Sequence, residues 1–106
     1  MNIVIATATV KAKPGKESET EKELRALLQE THKESGCLRC ALHRSADNPG
    51  SFLIVAKWSS METINHHFQS AHLARFMKKS TEFLANPPDT KLYQSMPEGT
   101  SGKGEL

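Results

Sequence analysis

The sequence predicts an α+β domain, an antiparallel sheet with helices packed on one side. Three observations carry this. Some segments alternate in character with period two, others repeat apolar residues at helical spacing, and each change of period coincides with glycine, proline or a run of turn residues. At 106 residues the chain is one domain, and a domain this size buries a smaller share of its surface than a large one, so it gains from a partner.

Residues 2–12, NIVIATATVKA, set Val4, Ala6, Ala8 and Val10 against Ile3, Ile5, Thr7 and Thr9, the signature of a strand. Pro14-Gly15 breaks it. Residues 17–34 form an amphipathic helix with Thr20, Leu24, Leu27, Leu28 and Thr31 on one face. Acidic residues crowd its first turn, where the helix dipole favours them, and Gly36 supplies the stop. Residues 37–45, CLRCALHRS, alternate again. The turn-rich ADNPGS then leads into the nearly continuous apolar run SFLIVAKW, residues 51–58, so a hairpin joins the two strands.

Ser59 and Glu62 have the S-x-x-E spacing of a capping box, which starts a short helix near residue 60 with Met61, Ile64 and Phe68 on its buried stripe. A second helical pattern, Leu73, Phe76, Met77, Ser80 and Leu84, runs to about Asn86, where Pro87-Pro88 end it. TKLYQS, residues 90–95, is a final strand, and the order is β-α-β-β-α-α-β. The folded domain is expected over residues 1–96, followed by a flexible tail over 97–106, PEGTSGKGEL, which has no periodicity.

The strand at 51–58 is apolar on both faces, Phe52, Ile54, Ala56 and Trp58 on one and Leu53 and Val55 beside Lys57 on the other. Helices cover one face. Each buried apolar side chain is worth roughly 1.5–3 kcal/mol relative to exposure, so the other face calls for a cover, and a second subunit's sheet is the simplest one. The sequence therefore predicts a homodimer.

Hydrophobic residues make up 37% and charged residues 25%, within the globular range. The 14 basic and 12 acidic residues are interspersed, with a net charge of +2, which gives no support for nucleic acid or membrane as partner. The apolar start is too short for a membrane span and alternates like a strand rather than a signal-peptide core, so a cytoplasmic location is expected.

Three of the five histidines fall in INHHFQSAHLARF, residues 64–76. On the short helix His66 lies opposite the buried stripe, while Asn65 and His67 flank it. His72 follows the helix break, ahead of Leu73 and Phe76, where a side chain can point toward the space between helix and sheet. His67 and His72 read either as pocket-lining groups or as structural hydrogen-bonding groups. A metal site needs three converging ligands, and the two histidines have no neighbouring carboxylate in a motif such as H-E-x-x-H, so none is expected. Cys37 and Cys40 are three apart on a strand and so face opposite sides, which makes them two separate small hydrophobes rather than a redox or zinc pair. Trp58, at a strand end facing the helices, is core or pocket wall.

Six stretches then match a known pattern in order: K-x-K-P-G-K-E from Lys11, E-S-G-C-L from Glu34, S-A-D-N-P-G-S-F from Ser45, K-W-S-S from Lys57, H-F-Q-S-A-H-L from His67 and L-A-N-P-P-D-T-K-L-Y from Leu84. With them the chain resembles the antibiotic biosynthesis monooxygenase domain family. The resemblance implies a ferredoxin-like subunit that pairs sheet to sheet as a dimeric α/β barrel, with one pocket per subunit. It also implies oxygenation of a polycyclic phenol or quinol with no cofactor and no metal, the deprotonated substrate itself supplying electrons to oxygen. In that reading His67 and His72 are the catalytic groups, and Trp58, Asn65, Phe68 and Phe76 hold the substrate. Two positions depart from the family pattern: Lys57 stands where a glutamate is usual and Cys40 where a tyrosine is usual, so the roles of those side chains do not carry over. The haem-degrading branch has a tryptophan and a haem-ligating histidine where this chain aligns His67 and Met77, which disfavours haem.

The leading expectation is a cofactor-independent monooxygenase acting on a small aromatic or quinone-type metabolite. A second is an isomerase or lyase of a small carbonyl or phosphorylated metabolite, as in the signal-processing branch of the family, which would need a cationic lining from Arg39, Lys57 or Arg75. The third is a non-catalytic dimeric binding module, favoured if side chains fill the pocket and both histidines bond to backbone.

Overall fold

The computed structural model describes residues 2–106; Met1, the first residue of the expected domain, lies outside the described residues. The elements are β1 (Val4–Lys11), α1 (Glu17–Thr31), β2 (Cys37–Arg44), β3 (Ser51–Trp58), α2 (Met61–Phe68), α3 (Ala71–Ser80) and β4 (Asp89–Gln94). The four strands form one sheet in the order β2-β3-β1-β4 with every neighbouring pair antiparallel, a ferredoxin-like α+β fold. The predicted fold class and element order are those observed.

Each strand follows from its pattern. Val4, Ala6 and Val10 turn to the helices and are buried, and the register sets Val4 opposite Trp58, Ala6 opposite Ala56 and Val10 opposite Phe52. The chain leaves β1 through Lys13–Lys16, a turn in which Gly15 takes φ +86°, a conformation glycine adopts without strain, after Pro14 has preset the preceding residue. On α1 the buried face is Thr20, Leu24, Leu28 and Thr31. The β2–β3 loop is closed by its own side chains, Ser45 Oγ accepting from the amides of Asp47 and Asn48, and Asn48 Oδ1 from that of Gly50.

Four expectations need correction. First, α1 ends at Thr31 rather than at residue 34, and Gly36, which is buried with ordinary φ, is not its stop. Gly36 is needed instead for closeness, because a Cβ there would overlap the side chain of Thr63. Second, the cap of α2 is Ser60 rather than Ser59. Ser60 Oγ accepts from the Thr63 amide and Thr63 Oγ1 from the Ser60 amide, both at 3.2 Å, while the Ser59 amide is already committed to the Gly36 carbonyl.

Third, α3 stops at Ser80, well before the prolines. The chain is drawn off by the end of β1, where the amides of Lys13 and Ala85 donate to the carbonyls of Phe83 and Lys11, each at 2.8 Å. Phe83 and Leu84 are buried there outside any helix. Fourth, Cys37 and Cys40 share a face. A β-bulge inserts Leu38 between Cys37, opposite Trp58, and Arg39, opposite Lys57; Cys40 then lies opposite Ala56, so both thiols turn toward the helices.

The short α2 is also less buried than its stripe suggested, with Ile64 fully buried but Met61 and Phe68 each 43% exposed.

Candidate functional site

Between the sheet and the three helices lies a cavity of about 480 Å³. Its floor is laid by the small residues Ala6, Ala8 and Ala56, and Trp58, Ile64, His67, Phe68 and Phe76 form its walls, with Thr31 and Cys40 as further polar or polarizable points. The volume is that of an ordinary small-molecule site. Among the described residues, those lining it include no lysine, arginine, aspartate or glutamate.

Of the residues expected to serve the site, Trp58, His67, Phe68 and Phe76 line this cavity. Asn65 is exposed on α2. His72, near the start of α3, reaches the site through another residue. That residue is Glu34, in the segment that links α1 to β2. Its Oε2 lies 2.6 Å from His67 Nδ1 and 2.8 Å from His72 Nε2, and all three side chains are only 13–17% exposed. With the carboxylate ionised, both imidazole N–H groups donate to one oxygen, which makes the bonds charge-assisted and fixes each ring's orientation.

The local chain explains this convergence. Because α1 stops at Thr31, the following residues run through turns in which the Glu34 amide donates to Thr31 and the Glu34 carbonyl accepts from Cys37. Glu34 is therefore pinned by its backbone on either side. The Gly36–Thr63 contact brings this segment against the first turn of α2, and His67 stands one turn further along that helix. The carboxylate that no histidine motif in the sequence supplies comes from Glu34, which the helical spacing placed in the last turn of α1. A readable signal existed, an acid two residues ahead of a Gly-Cys pair at which a strand opens.

Aromatic contacts hold the rest. The His67 ring lies 4.8 Å from that of Trp58 and 5.8 Å from that of His72, centroid to centroid, and Trp58 itself is only 1% exposed. Its Nδ1 being engaged by Glu34, His67 keeps Nε2 as the nitrogen available to a ligand in the cavity, with the proton held on Nδ1. This is the arrangement by which a carboxylate sets the tautomer of a general base.

Cys37 and Cys40, both free, pack beside Trp58, Ala56 and Ile64. Burial pushes the Cys40 thiol up to about 12, with the adjacent Cys37 adding to it, and burial raises Cys37 as well. Thiols so raised are poor nucleophiles, and here they act as small apolar packing groups. Lys57 is on the opposite face of the sheet, where its Nζ donates to the Leu106 carbonyl at 2.7 Å. Arg39 stands beside it on that face.

The fold and the site together define a ferredoxin-like α+β domain with an apolar hollow and a carboxylate-anchored imidazole at its wall. The comparison with known sequences is specific: the chain belongs to the antibiotic biosynthesis monooxygenase family, which it matches over residues 3–79. It is similar to the Bacillus subtilis protein named "Putative monooxygenase YcnE", with 28% identity over 87 residues that cover 82% of this chain and 92% of that one. It is also similar to protein sll1783 of Synechocystis, with 25% identity over 91 residues; the match covers 86% of this chain and only 62% of that relative's length. Among solved structures, PA3566 from Pseudomonas aeruginosa superposes with a TM-score of 0.78 at 29% identity, covering 89% of this chain and 92% of that one. No helix among the described residues is long and apolar enough to cross a membrane.

Proposed function

We propose that this protein is a cofactor-independent monooxygenase of flat, largely apolar phenols or related tricyclic ring ketones, with His67 as general base. The observation that carries this reading is the Glu34–His67 bond at the wall of an apolar cavity. The cavity is large and apolar enough for a ring, and His67 Nε2 accepts the proton. Taking a proton from an activated ring methylene leaves a delocalised anion that can pass an electron to oxygen. The resulting radicals join as a carbon–oxygen bond, protonation gives a hydroperoxide, and loss of water leaves a carbonyl. The net change is CH2 + O2 → C=O + H2O. Trp58, Phe68 and Phe76 hold the ring, and Glu34 and His72 are positioning residues that keep the His67 ring in place.

The alternative of a phosphorylated or otherwise anionic substrate finds no cationic lining, since Arg39 and Lys57 lie on the far side of the sheet and Arg75 is exposed. A purely structural pair of histidines would bond to backbone, whereas both here bond to a carboxylate beside an open cavity.

Oxygen uptake against a panel of anthrones and quinols tests the proposal. Turnover is expected with at least one ring substrate, lower by about 10²–10⁴-fold in His67→Ala and by a smaller factor in Glu34→Gln. Full turnover in His67→Ala would remove this residue from the mechanism.

The working unit is proposed to be a homodimer formed through the outer sheet face. There Ile5 and Val55 lie between Leu53 and Tyr93, which are 39% and 50% exposed in the single chain. Sedimentation should show a dimer that Val55→Asp dissociates; a wild-type monomer at micromolar concentration would refute it.

A further inference from the structure

We infer that Glu34, His67 and His72 also form a binding site for a divalent transition-metal ion of the zinc type, and that an ion bound there switches His67 off as a base. The inference rests on the proposed role of His67 only in its second half; the binding site stands on geometry alone.

Glu34, His67 and His72 each bring one possible ligand atom within 4.8 Å of those of the other two, and Glu34 Oε2 lies 2.6 Å from His67 Nδ1 and 2.8 Å from His72 Nε2. They come from three separate elements, the α1–β2 segment, α2 and the start of α3, so their convergence is a product of the fold and not of neighbouring positions in one helix. Zinc bonds of about 2.0–2.1 Å to nitrogen and oxygen place tetrahedral donors about 3.3 Å apart. The two observed edges of 2.6 and 2.8 Å need to open by about 0.5–0.7 Å, and the third to adjust, for an ion to enter. Rotation of side chains that are still slightly open to solvent provides this.

Charge argues the same way. Glu34 is mostly buried, and among the described residues both of its ion-pair partners are histidines; no lysine or arginine reaches it. The site therefore has a fixed anion and no fixed cation. Two neutral imidazoles and one carboxylate are the donor set of many three-ligand zinc sites, leaving a fourth position for water or another donor.

The consequence for His67 is tautomeric. With Glu34 on Nδ1, the ring keeps its proton there and Nε2 is basic. With an ion on Nδ1, the neutral ring carries its only proton on Nε2 and has no lone pair left to accept another. Metal occupancy and proton abstraction in the cavity therefore exclude each other, and zinc acts on this site as an inhibitor.

Calorimetric titration of the chelator-treated full chain with zinc chloride should give one ion per chain. Glu34→Gln and His72→Ala should each weaken binding by at least about ten-fold, whereas His66→Ala, an exposed neighbour, should leave it unchanged. Because Cys37 and Cys40 are the other soft donors nearby, the Cys37→Ser/Cys40→Ser double variant is expected to bind zinc as the wild type does. Cobalt substitution should give a spectrum free of thiolate charge-transfer bands. Absence of stoichiometric binding, binding unaffected by Glu34→Gln, or a thiolate–cobalt band would each overturn the site. Where a ring substrate turns over, its rate should fall along the zinc-binding curve. Full turnover by the zinc-loaded protein would overturn the switch, while absence of any turnover would fail the oxygenase reading and leave the binding result standing.

Discussion

The two ends of the helix–sheet interface are built from the same strands and behave differently. At one end Val10 faces Phe52 across β1 and β3, and Leu24, Phe76, Phe83 and Leu84 close over them. At the other end, four residues away along β1, Ala6 faces Ala56, with Val4, Trp58 and Ile64 around them and the two cysteines at the edge. The pairing of β1 with β3 is continuous through both ends, and what differs is the volume of the side chains they carry. Large side chains fill the first end and make it the stabilising half. Alanines leave the second end open, and the cavity runs from there to Val10, Leu24 and Phe76 at the border of the first, with the carboxylate and the paired imidazoles on the alanine side. The solid packing and the paired imidazoles thus lie toward opposite ends of one sheet, with the cavity between them.

The largest effect should come from emptying the solid end. Phe52→Ala is expected to cost about 3–5 kcal/mol in urea unfolding, because Phe52 is only 2% exposed and packed on all sides. A loss below about 1 kcal/mol would break the comparison. The reverse experiment fills the open end. Ala56→Leu should cost at most about 1–3 kcal/mol from overpacking and abolish binding of any ring ligand, which fluorescence quenching of Trp58 would report. Undiminished binding would show that the hollow over Ala56 is not where ligands go.

The smallest effect concerns Cys40. Its thiol is raised from an ordinary 9.0 to about 12 by burial first and by Cys37 second, so the folded state holds the proton more tightly than the unfolded one. The sign follows: this contribution to stability is fully present below pH 9.0 and is lost as pH rises from there toward about 12. Cys40→Ala should flatten that alkaline decline, and Cys40 in the native protein should alkylate far more slowly than in urea. Equal rates would mean that the open end is not closed to solvent even at its packed edge.

The strands were legible because β1 and β2 alternate with period two and β3 is an apolar run bounded by turn residues, and β3 spans the residues its pattern marks. Helix ends were less so. α3 has helical spacing through Leu84, yet backbone bonds to Lys11 and Lys13 pull the chain away after Ser80, and such tertiary competition leaves no trace in periodicity. Glu34 was hidden for the same reason, being counted into a helix that stops three residues earlier. His67 could be set beside the buried stripe from the phase of α2, which a single fully buried residue, Ile64, fixes, whereas the aromatic walls at Trp58 and Phe76 lie on other elements and were assigned to the substrate by the family resemblance. The shared face of the cysteines was invisible because alternation assumes a regular strand, and one bulged residue inverts every inference drawn across it.

Leu38, 47% exposed, is that residue. Pairing resumes on either side of it, so a chain lacking it would still seat Cys37 across from Trp58 and keep the carboxylate within reach of both rings. The molecule places one extra link between its acid and its sheet, and that link is what lets two thiols three residues apart turn to the same side.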